Sequence, residues 1–283
     1  MSEWQQWVGR SEVREDEITS AGLTRWLSAF DREATADGSV PQGFHWCLGL
    51  PDAPTADLAV DGHPRREAGD SSFMPPVPQP RRMWAGSQIR FRAPLYAGEV
   101  VSRSSRIARI SEKTGASGRL TFVEVEHETR VGDEPRISEI QSIVYRDEAA
   151  ADAPLSPPQP GETAFDLLAW DAHRCVLPSE ALLFRYSALT FNSHRIHYDL
   201  RYAIEAERYR GLVVHGPLTA TLMLDLVRRR FGDNRLSSFS YRGLSPALCG
   251  EALHLVLRGD SNAIEAGAFA ADGRQVMAAS GCL

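Results

Sequence analysis

One long apolar helix pattern, GPLTATLMLDLVRRRF at 216–231, constrains the fold most strongly, because a run of strand patterns follows it directly. Pro217 suits the first turn of a helix, and Leu218, Leu222 and Leu226 repeat at helical spacing. Alternation of apolar and polar residues between Gly and Asp turns then predicts three or four strands within LSSFSYRGL, EALHLVLRGD, AIEAGAFAAD and QVMAASGCL. This order predicts a central helix wrapped by a curved antiparallel sheet.

The segment before that helix has a similarly readable order. HRCVLP (173–178) has the pattern of a strand, and Ser179 is placed to cap a helix over EALLFRYSAL. A polar cluster follows, then a short helix predicted from about Leu200 to Tyr209.

The first half of the chain also ends in strand patterns, which are GSQIRFRAPLYAGEVVSRSSRIARIS, GRLTFVEVEHETRVGD and EPRISEIQSIVYRD. A long irregular section, 37–82, precedes them, and a Pro- and Ala-rich break at 147–163 follows them. We therefore predict two related domains, 1–146 and 164–283, joined by a linker at 147–163. Only the second domain clearly carries the long central helix, which indicates a duplication with one copy eroded.

Composition narrows the function classes. The 283 residues are 43% hydrophobic and 24% charged, as in soluble globular proteins, and no apolar run approaches the roughly 18–20 residues of a membrane helix. Four scattered cysteines and a polar N-terminal stretch favour a reducing cytoplasm over secretion. The net charge of −6 argues against nucleic acid or an anionic membrane as partner.

The polar cluster FNSHRIHYD, 191–199, concentrates the chemistry of the second half. A metal site built on His194, His197 and Asp199 lacks a motif such as HExxH, and a serine nucleophile at 187 or 193 lacks a GxSxG turn. Helix capping is the structural alternative for His194 and Asp199. His197 stands between two large side chains, which favours a half-buried histidine with a functional role.

The segment GLVVHGP, 211–217, predicts a helix start that can stabilise negative charge beside a histidine base. The start of a helix offers free N–H groups and the positive end of its dipole, which stabilise negative charge on a carbonyl oxygen. Because Pro217 has no N–H, the donor must come from Gly216 or its neighbours. A base beside such a helix start suits the addition of water to an unsaturated thioester, which passes through an enolate.

These two segments resemble the MaoC-like R-specific enoyl-CoA hydratases, whose motif is roughly D-x-N-P-x-H-x-D followed by a V-H-G helix start. The resemblance implies an α+β double hotdog fold, with two antiparallel curved sheets each wrapping a central helix that is degenerate in the first copy. It places the family histidine on His197 and the oxyanion glycine on Gly216. The family aspartate falls on Asn192, a departure that leaves an amide to orient water and His197 as the sole strong base.

WVGR, DGHP (61–64), MPPVPQPRRMWAGSQIRF (74–91) and FRYSALTFNSHRIHYD resemble one subgroup over nearly the whole chain. It contains mesaconyl-C(4)-CoA and itaconyl-CoA hydratases and mitochondrial hydroxyacyl-thioester dehydratases. In RRMWAG, Arg81 and Arg82 are predicted to hold a substrate carboxylate or a CoA phosphate, or else to pair with acids between the domains. Trp84 is a substrate-contact candidate whose alternative is packing. The other substrate-contact candidates are Tyr186, His194, Arg195 and His215.

The predicted activity is reversible hydration of an unsaturated acyl-CoA, with a branched C5 dicarboxylic substrate such as itaconyl- or mesaconyl-C(4)-CoA yielding citramalyl-CoA. A 3-hydroxyacyl-thioester dehydratase of fatty-acid synthesis and a non-catalytic acyl-CoA-binding protein are the alternatives. No metal or separate cofactor is predicted, since coenzyme A is part of the substrate. The expected partner is the acyl-CoA alone, with a homodimer as the candidate assembly.

Overall fold

The computed structural model describes residues 3–66, 72–115, 118–162, 165–260 and 262–283. Its strands are β1 Ser11–Glu17, β2 Arg81–Phe91, β3 Val100–Gly115, β4 Gly118–Val131, β5 Glu134–Arg146, β6 Ala172–Val176, β7 Ser238–Gly243, β8 Leu253–Gly259, β9 Ile264–Ala270 and β10 Gln275–Cys282. Its α-helices are α1 Ser20–Ala29, α2 Glu180–Leu189, α3 Leu200–Glu205 and α4 Gly216–Phe231.

The described strands form one sheet in the order β1-β3-β4-β5-β2-β7-β10-β9-β8-β6. The first five come from the first half of the chain and the last five from the second, in mirrored order. Antiparallel pairing of β2 with β7, for example Ser87 opposite Tyr241, joins the halves. The two sheets of the predicted duplication are therefore continuous, because the edge of each half is satisfied by the other.

Helix α4 is the element that both halves enclose. Its residues from Pro217 to Val227 are buried, and Arg228, Arg229 and Arg230 form its last turn beside the negative end of the dipole. The apolar repeat and the N-terminal proline predicted these bounds, and Gly232 (φ +98°) ends the helix as a left-handed glycine can.

The first half has no long helix in the equivalent place within its described residues. A short 3₁₀ helix, Phe44–Cys47, lies between α1 and β2 and packs against α4. Gly43 (φ +102°) brings the two together, since a Cβ at that position would lie 3.3 Å from Leu224 Cδ1. The sequence pattern did not predict α1, whose N-cap Thr19 accepts a hydrogen bond from Gly22 N.

The predicted linker lies between β5 and β6, although its last residue, Thr163, is outside the described residues. Its central part docks on the turn after α3, where Ser156 N donates to Arg208 O (2.8 Å) and Ser156 O accepts from Arg210 N (2.9 Å). Helix α3 ends at Glu205, earlier than predicted, because the chain turns at Arg208 with φ +57°. The division into two domains at these bounds remains a prediction.

The structure also bears on the cysteines and on membrane-spanning helices, which the composition addressed. All four cysteines are free thiols. Across the described residues, no helix is both long enough and apolar enough to cross a bilayer.

Candidate active site

His197 lies in a 3₁₀ turn, Arg195–His197, between α2 and α3, and its side chain is buried. Its Nδ1 is 2.7 Å from the carbonyl oxygen of Val213. A carbonyl only accepts hydrogen bonds, so Nδ1 carries the proton and the lone pair of the neutral ring is on Nε2. Burial lowers the pKa of His197 to about 4. At neutral pH this imidazole is therefore an uncharged base.

His215 brings that base to the start of helix α4. It is the residue before Gly216, and its ring stacks on the ring of His197 with centroids 3.5 Å apart and planes 20° apart. On its other side, Nε2 is 2.9 Å from Ser187 Oγ, and Tyr186 packs edge-on at 5.1 Å. Burial and then the neighbouring His197 lower the pKa of His215, which keeps both rings neutral.

The N–H of Gly216 begins the helix without an acceptor among the described residues. The first bond of the helix runs from Thr219 N to His215 O (3.0 Å), and Pro217 has no N–H. The carbonyl oxygen of Trp84, on β2, would lie 3.4 Å from a Cβ at position 216. Glycine there leaves the approach between strand and helix start open, and its free amide can meet an anionic oxygen.

Asn192 shapes the loop that carries His197. Its Oδ1 accepts a hydrogen bond from His194 N (3.0 Å), and its own N–H donates to Ser187 O (2.9 Å). The amide NH₂ remains to hold a water or a substrate oxygen. An amide exchanges no proton at neutral pH, so the acid–base chemistry of the motif rests on His197.

The two arginines predicted to bind substrate have different surroundings. Arg81 is buried, and it donates from Nε to Glu207 Oε2 (2.5 Å) and from Nη2 to Glu207 O (2.6 Å). Arg81 therefore pairs with an acidic residue, which was the alternative to substrate binding predicted from the sequence. Arg82 has no hydrogen bond or ion pair with any described residue. Burial is the main cause of the lowered pKa of His63 and of His194, and the positive charge of Arg82 lowers both further.

Trp84 packs in the core, with its ring edge-on to Trp46 at 6.0 Å. Its indole N–H donates to Ser87 Oγ (2.9 Å), and that hydroxyl donates to the buried carboxylate of Glu139 (2.5 Å). These bonds fix the ring, which favours the packing alternative. The backbone carbonyl of Trp84, and not its ring, lies near Gly216 at the start of α4.

Three further candidates occupy different surroundings. Tyr186 is buried within the core against Phe30 and His215. Arg195 is held by Asp199, through bonds of 3.0 and 2.7 Å, and does not point a free charge at the site. His194 is 4% exposed, and its Nε2 is buried without a hydrogen-bond partner in the described structure.

Two residues missing from the sequence-based site, Asp61 and His63, lie beside His194. The rings of His63 and His194 are 4.3 Å apart, and His63 Nδ1 is 2.9 Å from Asp61 Oδ2. The DGHP stretch (61–64) was noted in the sequence as part of the family resemblance. A single sequence does not indicate that this stretch contacts His194, which lies far along the chain.

Asp61, His63 and His194 also form the one group of described residues with metal-ligand atoms close together, all within 4.8 Å of one another. Asp61 is already bonded to His63, and the positive charges of Arg66 and Arg82 act on the same ring. Cationic neighbours oppose a bound cation.

Asp199, which the sequence analysis considered as a metal ligand together with His194 and His197, instead caps α3: its side chain accepts a hydrogen bond from Tyr202 N.

Comparison with known proteins identifies similar chains. The family model described as hydroxyacyl-thioester dehydratase type 2 matches residues 43–249. The mesaconyl-C(4)-CoA hydratase of Chloroflexus aurantiacus is 39% identical over 284 aligned positions, which cover 99% of this chain and 97% of that protein.

Solved structures share the fold at low identity. A MaoC-like dehydratase from Phytophthora capsici is 14% identical with a TM-score of 0.72, covering 97% of this chain and 95% of that one. A Mycobacterium tuberculosis protein described as a double hotdog is 13% identical with a TM-score of 0.58, covering 97% and 96%. The predicted double hotdog is confirmed.

Proposed function

The chain belongs to the family of type 2 hydroxyacyl-thioester dehydratases, and on that premise we propose that it reversibly hydrates the α,β-double bond of an unsaturated acyl-CoA. The observation that carries the proposal is the neutral imidazole of His197 stacked against the residue that begins helix α4. A base and an anion-stabilising helix start are the two elements that this addition needs.

In the hydration direction, His197 Nε2 takes a proton from water while the water oxygen bonds to Cβ. The tie between Nδ1 and Val213 holds the ring in the tautomer that leaves Nε2 basic. As the bond forms, charge moves to the thioester oxygen, where the free N–H of Gly216 and the positive end of the helix dipole stabilise it. In the dehydration direction the same groups act in reverse.

Asn192 holds the attacking water. Its carbonyl oxygen is occupied by His194 N, so the NH₂ group is the part left to bind an oxygen atom. This role agrees with an amide standing where the related hydratases have a carboxylate. The proton chemistry then depends on histidine.

For the substrate, we propose a branched C5 dicarboxylic acyl-CoA that gives citramalyl-CoA. Mesaconyl-C(4)-CoA has the double bond α,β to the thioester that this step requires, whereas itaconyl-CoA must first shift its β,γ double bond into conjugation. The relative named as a mesaconyl-C(4)-CoA hydratase supports this choice. So does Arg82, which has no acidic partner among the described residues and whose positive charge acts on His63 and His194. A substrate carboxylate would satisfy that charge.

A panel of enoyl-CoA thioesters followed by ultraviolet absorbance tests the proposal. Loss of enoyl absorbance with the carboxylated thioesters, far faster than with crotonyl-CoA, is the expected result. Faster turnover of straight-chain substrates would favour the alternative, a 3-hydroxyacyl-thioester dehydratase of fatty-acid synthesis; the family description names a hydroxyacyl-thioester dehydratase. Thermal stabilisation by the thioesters with no loss of absorbance would mean that the protein binds acyl-CoA without catalysis.

A further inference from the structure

The first half of the chain contributes a carboxylate–imidazole pair, Asp61 and His63, to the edge of the proposed site. Asp61 Oδ1 accepts from His63 N (3.0 Å) and Oδ2 contacts His63 Nδ1 (2.9 Å). This two-point contact fixes the ring and places the proton of the neutral imidazole on Nδ1. No described residue bonds to the other nitrogen, Nε2.

The turn that carries this pair is clamped to the loop that carries His197. Ser193 Oγ donates to Gly62 O (2.6 Å), and Arg195 N donates to Asp61 O (2.9 Å). A Cβ at Gly62 (φ +89°) would lie 1.9 Å from Ser193 O, so only glycine permits this approach. His63 is thereby held against His194, which in turn contacts His197 with ring centroids 5.5 Å apart.

The charges around the pair favour an ionised carboxylate beside the imidazole. Burial opposes ionisation of Asp61, but the hydrogen bond and charge of His63, its backbone N–H and Arg66 outweigh burial and lower the pKa of Asp61. Burial lowers the pKa of His63, Asp61 counters it, and Arg82 and Arg66 lower it further. A substrate carboxylate that neutralised Arg82 would make His63 easier to protonate.

Hydration requires two proton transfers, one from water and one to Cα, whereas the motif around His197 offers a single base and an amide. Resting on the function proposed above, we propose that His63 is the second catalytic group, delivering the proton to Cα, and that Asp61 positions it and stabilises its charged form. The carboxylate absent at position 192 is thus supplied from the other half of the chain.

The step balances as follows. Water loses a proton to His197 Nε2, its oxygen bonds to Cβ, and the π pair moves to the thioester to give an enolate. His63 enters this step as the imidazolium, and the enolate pair forms the Cα–H bond with the proton on its Nε2, which leaves the neutral ring protonated on Nδ1. His197 returns its proton to solvent and His63 takes one up, so the net change is the addition of one water. In dehydration, neutral His63 removes the α-proton.

The test uses the full-length protein and the acyl-CoA that it hydrates fastest. Hydration by the unmodified protein in D₂O gives a product with deuterium at the α-position that the enzyme itself uses, and this product is then dehydrated in H₂O. His63→Gln is expected to lower kcat by about 10²–10⁴-fold with KM and Tm near the unmodified values, and to increase the deuterium isotope effect on kcat. A purely structural role would not change that isotope effect.

Asp61→Asn supplies a second variant. Its oxygen would keep the bond to His63 N, so its NH₂ would face Nδ1 and force the proton onto Nε2, which removes the base used in dehydration. The exposed His173, changed to Gln, controls for loss of a histidine. Unchanged turnover and isotope effect in His63→Gln would overturn the inference alone. Failure of the unmodified protein to hydrate any enoyl-CoA would reject the proposed function with it.

Discussion

The imidazole of His197 stacks on that of His215 with centroids 3.5 Å apart, so the base and the residue before the helix start form one buried unit. Each ring is anchored from outside the pair. Val213 O accepts from His197 Nδ1, and Ser187 Oγ bonds to His215 Nε2. The stack therefore holds the ring of His197 against the residue that precedes Gly216 at the helix start.

Replacement of His197 by Gln should remove turnover while preserving the fold. Loss of the general base is expected to lower kcat by about 10²–10⁴-fold, since glutamine cannot accept a proton. Steady-state kinetics and thermal unfolding measure both effects, with His173→Gln as the matched surface control. Near-normal kcat in the His197 variant would remove this residue from the mechanism.

Arg82→Gln should weaken turnover of a dicarboxylic acyl-CoA much more than that of crotonyl-CoA. The guanidinium has no acidic partner among the described residues, and a carboxylate substrate would provide one. The measurement is kcat/KM for both substrates. Equal losses on the two would count against a carboxylate clamp.

Arg81→Gln should act through stability instead. It leaves Glu207 buried without its cation, a change that typically costs about 3–5 kcal/mol of the free energy of unfolding. Urea unfolding measures this cost, and kcat/KM measured well below Tm should stay close to the unmodified value on both substrates. A selective loss on the dicarboxylic substrate would instead assign Arg81 to binding.

Stability should fall on acidification because buried histidines are neutral in the folded protein. Burial lowers the pKa of His197 and of His127 to about 4, against about 6.5 when unfolded. Between those values the unfolded chain binds more protons, so each histidine contributes stability that is present above pH 6.5 and is lost as pH falls towards 4.

Urea unfolding at pH 7.5, 6.0 and 5.0 measures this loss, on the order of 1 kcal/mol per pH unit for each histidine below pH 6.5. His197→Gln should make the slope shallower, whereas the exposed His173→Gln should change it little. A free energy of unfolding that stays constant over this range would contradict the neutral, buried state of these rings.

Gly62→Ala should destabilise the protein more than Gly98→Ala. Both glycines have φ +89°, but a Cβ at 62 would meet Ser193 O at 1.9 Å, whereas nothing lies within 4 Å at 98. The left-handed conformation costs each variant about 1–2 kcal/mol, and overpacking adds about 1–3 kcal/mol at 62. Equal unfolding free energies for the two variants would show that the turn is not clamped to the His197 loop.

The sequence by itself determined helix α4, the strands around it, the polar cluster and the glycine at the helix start. These follow from local rules: apolar spacing along one helix, alternation along one strand, and the caps supplied by Pro217, Ser179 and Asp199. The motif around His197 likewise concentrates its chemistry within nine residues.

Only the tertiary structure decided which distant groups meet. It paired Arg81 with Glu207 and left Arg82 without an acidic partner among the described residues. It also set the Asp61–His63 turn against the loop of Ser193 and His194. It also joined the halves through β2 and β7 into one sheet. These contacts depend on packing between segments more than 100 residues apart, and no periodicity or cap records that packing, because such signals arise only between neighbours along the chain.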